Sequence, residues 1–245
     1  MNSISGAFGY VILKKNNRVI LFCDNHLMDE YCEEIRNKFV GDLALYYKEK
    51  NKNFIFIVEE LIDIEKNVIS LWNTEHVKNT FDLVQNNYSF IKPMDLRTDL
   101  TPVSPRLIKE ENQMPKELFL KVLDDLFLKK ELKIVDDFFD MLNNPYLFNL
   151  YSRLENEYLS IKEETKDLIS INSFNENIRL RLEKLLDDIF DFYLLSLIIK
   201  NEDKEVWVYA GANHCVVINE DLINLGYNEI KKMVSNTSCI DINLP

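Results

Sequence analysis

The run Phe54-Ile55-Phe56-Ile57-Val58 constrains the fold more than any other segment of the chain. Side chains alternate between the two faces of a strand, so a run without a polar face must be covered on both sides. This predicts a central buried strand in a sheet flanked by helices. Val19-Ile20-Leu21-Phe22 and Val206-Trp207-Val208-Tyr209-Ala210 are further β-rich runs of strand length. Tyr10-Val11-Ile12-Leu13 precedes the first of these across Lys14-Lys15-Asn16-Asn17-Arg18, a β-hairpin signature with Asn at the turn positions.

Helical patterns separate these runs. Ile35, Phe39, Leu43 and Tyr46 recur at helical spacing over about residues 29–50, and a second helix is expected from about Asn73 to Gln85. A strand over Tyr88 to Lys92 then leads into Pro93-Met94-Asp95-Leu96-Arg97. Strand and helix in alternation read as parallel βαβ units. From Pro102 the character changes: Pro102, Pro105 and Pro115 punctuate a linker, and strand signals cease. Helices are expected over Pro115–Lys130, Leu132–Leu142, Pro145–Lys166 and Phe174–Lys200, the last apolar on most sides. The sheet resumes at Glu205–Ala210, followed by a helix near Glu220–Leu225 and a strand near Ser238–Ile242. The expected fold is α/β: one domain over residues 1–245, with a mainly parallel central sheet, flanking helices and a large all-helical insertion at about residues 102–200.

Charge and composition exclude several function classes. A formal net charge of −12 argues against binding a nucleic-acid backbone, which needs clustered Lys and Arg. No uninterrupted apolar stretch approaches the ~18–20 residues of a membrane span, and the N-terminus lacks the pattern of a signal peptide. Cys23, Cys32, Cys215 and Cys239 form no CxxC pair. They are expected to be reduced thiols in a cytoplasmic protein. Abundant Asn, Ile and Lys suggest an AT-rich genome, such as that of a parasite, a low-GC bacterium or a large DNA virus; for a virus, host cytoplasm or virion is the expected location.

Polar residues cluster where the predicted strands end. These are Asp24 and His26, Glu59 and Glu60, Asp95 and Arg97, and Asn213 and His214. If the strands are parallel neighbours, all four groups open on one edge of the sheet, where α/β proteins build their sites. Two imidazoles with one or two carboxylates form a common first shell for Zn, Mn, Fe or Co. His26 and His214 are the candidate metal ligands, or else an acid and a base. Glu59 or Glu60 would ligate or activate water, Arg97 would orient substrate or stabilise an oxyanion, and Asp24, Asp95 and Asn213 would contact substrate.

In these residues the chain resembles the TIKI/TraB, erythromycin-esterase and ChaN-like superfamily, whose members share two GxxH motifs at opposite ends of the domain. Gly211-Ala212-Asn213-His214 fits the second motif, and Cys23-Asp24-Asn25-His26 fits the first with Cys in place of Gly. Glu59 or Glu60 stands where the family's acid follows a strand, and Arg97 where an Arg is expected. The similarity covers about residues 8–100 and 205–245. It implies hydrolysis of a peptide or small-molecule ester, with a divalent transition metal in TIKI-like members, or haem-iron binding as in ChaN-like ones. It does not choose among these substrates.

Plainer readings stand beside these. The two histidines also read as hydrogen-bonded turn residues, Arg97 as an ion-pair partner of Asp95, His76 as a surface residue, and Cys23 and Cys215, which flank the site in sequence, as buried inert thiols, with metal ligation or redox sensing as the alternative. A non-catalytic structural or host-interaction protein that keeps the fold is the competing class.

Overall fold

The computed structural model describes residues 2–25, 32, 39–50, 53–59, 75–86, 88–94, 116–129, 141–170, 173–237 and 239–242. The chain divides into two compact units, Met1–Asp95 with Ile198–Pro245, and Leu96–Leu197.

The first unit is built on a six-stranded mixed sheet of order β5-β4-β6-β3-β2-β7, with a separate two-stranded antiparallel ladder of β1 and β8. The strands are β1 (Asn2–Ser5), β2 (Ala7–Lys14), β3 (Arg18–Asp24), β4 (Phe54–Val58), β5 (Ile91–Pro93), β6 (Glu205–Gly211), β7 (Asn228–Val234) and β8 (Cys239–Ile242). β5, β4, β6 and β3 pair in parallel, whereas β2 pairs antiparallel with both β3 and β7. The expected β2–β3 hairpin is present. Its turn residue Asn17 is buried, donating from Nδ2 to the Lys204 carbonyl and accepting at Oδ1 from the Tyr227 hydroxyl, each at 2.9 Å.

Alternation sorts the sheet into two faces. Tyr10, Ile12, Ile20, Phe22, Phe54, Phe56, Val58, Trp207 and Tyr209 form one face, and pack with Val40 and Ala44 of helix α1 (Val40–Lys50) and Leu83 of helix α2 (Glu75–Gln85). Gly41 permits the close approach of these helices, because a Cβ there would run into the side chains of Asn79 and Leu83. On the other face, helix α6 (Ala212–Asn224) buries Cys215, Ile218 and Leu222. Its C-terminus closes as a Schellman motif: Gly226 has φ +90°, and the N–H groups of Gly226 and Tyr227 donate to Ile223 and Leu222 at 2.9 Å.

At the amino-terminal ends of β3 and β6, four side chains converge. Both Glu205 carboxylate oxygens accept from Arg18 Nη2 at 2.7 and 2.8 Å, while the Tyr47 hydroxyl and the Trp207 indole N–H each donate to Glu205 at 2.8 Å. Tyr47 also stacks on Trp207, with centroids 4.7 Å apart.

The second unit is helical in its described residues. It holds α3 (Lys116–Asp124), which runs on into a wider turn over Asp125–Lys129, then α4 (Pro145–Glu164) and α5 (Glu176–Lys200), whose last three residues belong to the first unit. Asn144 caps α4 by accepting from Tyr146 N at 2.9 Å, with Pro145 in the first turn where its missing N–H costs nothing. Phe127 stacks on Tyr158 at 5.4 Å and meets Tyr151 at 5.8 Å, and Tyr151 in turn meets Phe192 at 6.0 Å. Arg181 ties α5 to α4 through Glu157 at 2.7 Å and Glu164 at 2.5 Å.

Several expectations shift. α6 begins at Ala212 and not near Glu220, so Asn213 and His214 lie in a helix's first turn and not in a loop. β1 and β7 were not foreseen; β7 is exposed along nearly its whole length and so lacks the alternation that marks a half-buried strand. β5 is shorter than the expected Tyr88–Lys92 strand. The Pro102–Pro115 linker, most of the helix expected over Leu132–Leu142, and most of the first half of the 29–50 helix lie outside the described residues, as does the side chain of His76.

The thiols also depart from expectation. Cys32 and Cys239 form a disulfide, so the four are not all reduced. Oxidising surroundings sustain such a bond, and a glutathione-rich cytosol does not. Sparse, widely separated cysteines gave no sign of this pairing, which depends on β8 lying beside β1, with Cys239 opposite Ser5.

Two buried phenols make the fold sensitive to alkali. Burial, with Glu155 adding, pushes Tyr151 up to about 12, and burial, with Glu202 adding, does the same for Tyr227. Both groups hold their proton more tightly folded than at the unfolded value of about 10. Their contribution is therefore intact below about pH 10 and is lost as pH rises towards about 12, up to about 2–3 kcal/mol for each. Equilibrium unfolding across that window should show the decline, and Tyr151→Phe and Tyr227→Phe should each flatten part of it. A pH-independent stability there would contradict the assignment.

Candidate functional site

The two motif-bearing strands are direct neighbours. β3 and β6 run parallel with Cys23 opposite Ala210 and Asp24 opposite Gly211, and β4 flanks β6 on its other side. The segments after β3 and β4 lead to α1 and α2 on one face of the sheet, while β6 leads into α6 on the other. Adjacent parallel strands whose connections leave on opposite faces open a crevice at their carboxyl ends. Glu59, Asp24 and the Gly211–His214 segment are all delivered to that edge.

Glu59 follows β4 directly and extends its ladder, its N–H donating to the Tyr209 carbonyl at 2.9 Å. One carboxylate oxygen accepts from the Gly211 N–H at 2.7 Å. Gly211 is the residue that caps α6 and has no side chain to do so. Glu59 thus reaches the helix entry from a neighbouring strand, as the acid of a capping box does from within its own helix, and places negative charge at the positive end of the dipole. Its other oxygen lies 3.8 Å from His214 Nε2, with the two side chains 9 % and 20 % exposed.

Asp24 is 1 % exposed, whereas Asn213 is exposed on the first turn of α6. His26, Glu60, Asp95 and Arg97 lie outside the described residues. The described structure therefore brings together Glu59, His214, Asp24 and Asn213 at one edge. Among the described residues, no group of three or more His, Cys, Asp or Glu side chains is placed to hold a metal ion. None of the described helices is long and apolar enough to cross a membrane.

Cys23 and Cys215, which flank the candidate site in the sequence, interact with each other at this edge. The hydrogen bond from the Cys215 thiol lowers the Cys23 pKa against the opposing effect of burial, with the Lys232 ammonium also lowering it. The same bond raises Cys215, as do burial and the charges of Glu59 and Asp24. Cys215 Sγ also lies 3.5 Å from the carbonyl oxygens of Phe22 and Ala210. The available signal was positional: one cysteine at the end of β3, the other directly after His214.

No family model, curated protein or solved structure matches the chain.

Proposed function

We propose that the chain is a hydrolase that cleaves a peptide or small-molecule ester bond at the carboxyl edge of β3, β6 and β4. The observation that carries this reading is the Glu59–His214 pair, set where the sheet's connections diverge. In this reading His214 takes a proton from an attacking water, and Glu59 beside it stabilises the imidazolium that forms. Water oxygen bonds to the substrate carbonyl carbon. The proton held on His214 then passes to the leaving alkoxide or amine as the scissile bond breaks. Backbone N–H groups in the first turn of α6 are suitable donors for the developing oxyanion. In this proposal Arg97 orients the substrate, and Glu60, Asp95, Asp24 and Asn213 complete the set of contacts.

The superfamily resemblance adds a divalent transition metal held by His26 and His214. That group would supply an activated water near neutral pH. The described donor set does not by itself complete such a site, so the proton transfers above are assigned to the chain's own residues.

The test is a screen of peptide and ester substrates with wild type, His26→Ala, His214→Ala and Glu59→Gln, before and after treatment with a chelator. Wild-type turnover should fall by about 10²–10⁴-fold in His214→Ala, the usual size of a general acid–base contribution. Activity that survives chelation but not this substitution supports the imidazole route, and joint loss of metal and activity supports the metal-assisted one. Equal turnover by wild type and His214→Ala would sink both.

A further inference from the structure

The hydrolytic reading leaves two thiols unused at the same edge. Cys23 ends the apolar part of β3, and Cys215, in the first turn of α6, reaches the same rung of the sheet. Cys215 Sγ sits over the pairing of β3 with β6, 3.5 Å from both Phe22 O and Ala210 O, at the rung where Cys23 lies opposite Ala210. The two differ in access: Cys215 is 2 % exposed, whereas Cys23 is only half-buried. On β2 the residue opposite Cys23 is Gly9, so no β2 side chain stands between Cys23 and β7, which carries Lys232.

We propose that Cys23 and Cys215 form a thiol–disulfide exchange site for low-molecular-weight disulfides of the glutathione class. Cys23 is the accessible, attacking thiol and Cys215 the resolving one. Cys23, as thiolate, attacks one sulfur of the small disulfide; that S–S bond breaks, a mixed disulfide forms on Cys23, and the first small thiolate leaves and takes up a proton. Cys215 then gives up its proton and attacks the Cys23 sulfur, closing the Cys23–Cys215 bond and releasing the second small thiol. The two protein thiols lose two electrons, the small disulfide gains them, and both protons end on the released thiols. This chemistry is independent of hydrolysis and stands or falls without it.

The full chain, with Cys32–Cys239 kept oxidised, is exposed to oxidised glutathione, quenched with acid, alkylated in denaturant and mapped as peptides. The alkylatable thiols should fall from the two of Cys23 and Cys215 to none, with a Cys23–Cys215 cross-linked peptide as product. Cys215→Ala should stop at a stable glutathione adduct on Cys23, and Cys23→Ala should leave Cys215 unmodified. The wild-type map decides the matter even if a variant fails to fold. Wild type that keeps both thiols, or that accumulates the mixed disulfide on Cys23 without the cross-link, overturns the proposal. So does a Cys215 adduct in Cys23→Ala.

Discussion

Replacing Cys32 with Ser is expected to cost the chain about 5 kcal/mol of unfolding free energy under non-oxidant, non-reducing conditions, the largest stability effect of any single substitution considered. The bond joins positions 207 residues apart. In the chain-entropy account its removal releases a closed loop of that length in the unfolded state, and a loop of about 100 residues is already worth about 4.7 kcal/mol. The anchoring is local as well. Cys32 N donates to the hydroxyl of fully buried Ser5 at 3.1 Å, and Ser5 faces Cys239 across the β1–β8 ladder. Cys239→Ser should match Cys32→Ser, and wild type in reductant should match both. If all three unfold with wild-type free energy, the β1–β8 ladder does not depend on its covalent tie.

Removing the Glu205 carboxylate is expected to be nearly as costly. Arg18, Tyr47 and Trp207 all donate to it, and the ion pair is largely shielded, with side-chain exposures of 18 % for Arg18 and 12 % for Glu205. Glu205→Ala removes the carboxylate acceptor shared by a guanidinium and two further donors and leaves Arg18 with the Tyr47 hydroxyl at 2.7 Å, for which the expected loss is about 3–5 kcal/mol. Glu205→Gln keeps an acceptor and should lose less. Because Trp207 is itself one of the donors, its fluorescence in a Trp72→Phe background reports on this cluster in a denaturant titration. A loss below about 1 kcal/mol for Glu205→Ala would place the cluster with ordinary surface ion pairs.

What the sequence made legible followed from periodicity. The two-faced apolar run at Phe54–Val58, the β2–β3 hairpin and the helices at Glu75–Gln85 and Pro145–Glu164 all carry strong local patterns, and each emerged close to its expected bounds. β7 did not emerge, because an exposed edge strand rich in Lys and Glu has no buried face to print an alternation. The start of α6 was misplaced for a related reason. Its entry is capped not by a Ser, Thr, Asp or Asn of its own but by Glu59, 152 residues away in the chain. The candidate site was partly legible: Asp24, Glu59 and His214 are visible in one dimension as polar residues near strand ends, and the neighbouring of β3, β6 and β4 brings these described residues to one edge. The Cys23–Cys215 contact and the Cys32–Cys239 bond were not legible, since both are long-range pairings that exist only once the strand order is known.

The central claim is that Glu59 and His214 act as one acid–base unit. Its most direct test is a double-mutant cycle on kcat/KM for the best substrate of the hydrolysis screen, comparing Glu59→Gln, His214→Ala and the pair. Groups that work as a unit are strongly non-additive, so the double variant should be no slower than His214→Ala alone. Losses that multiply would show that the two residues contribute separately, and would contradict the pairing on which the proposed function rests.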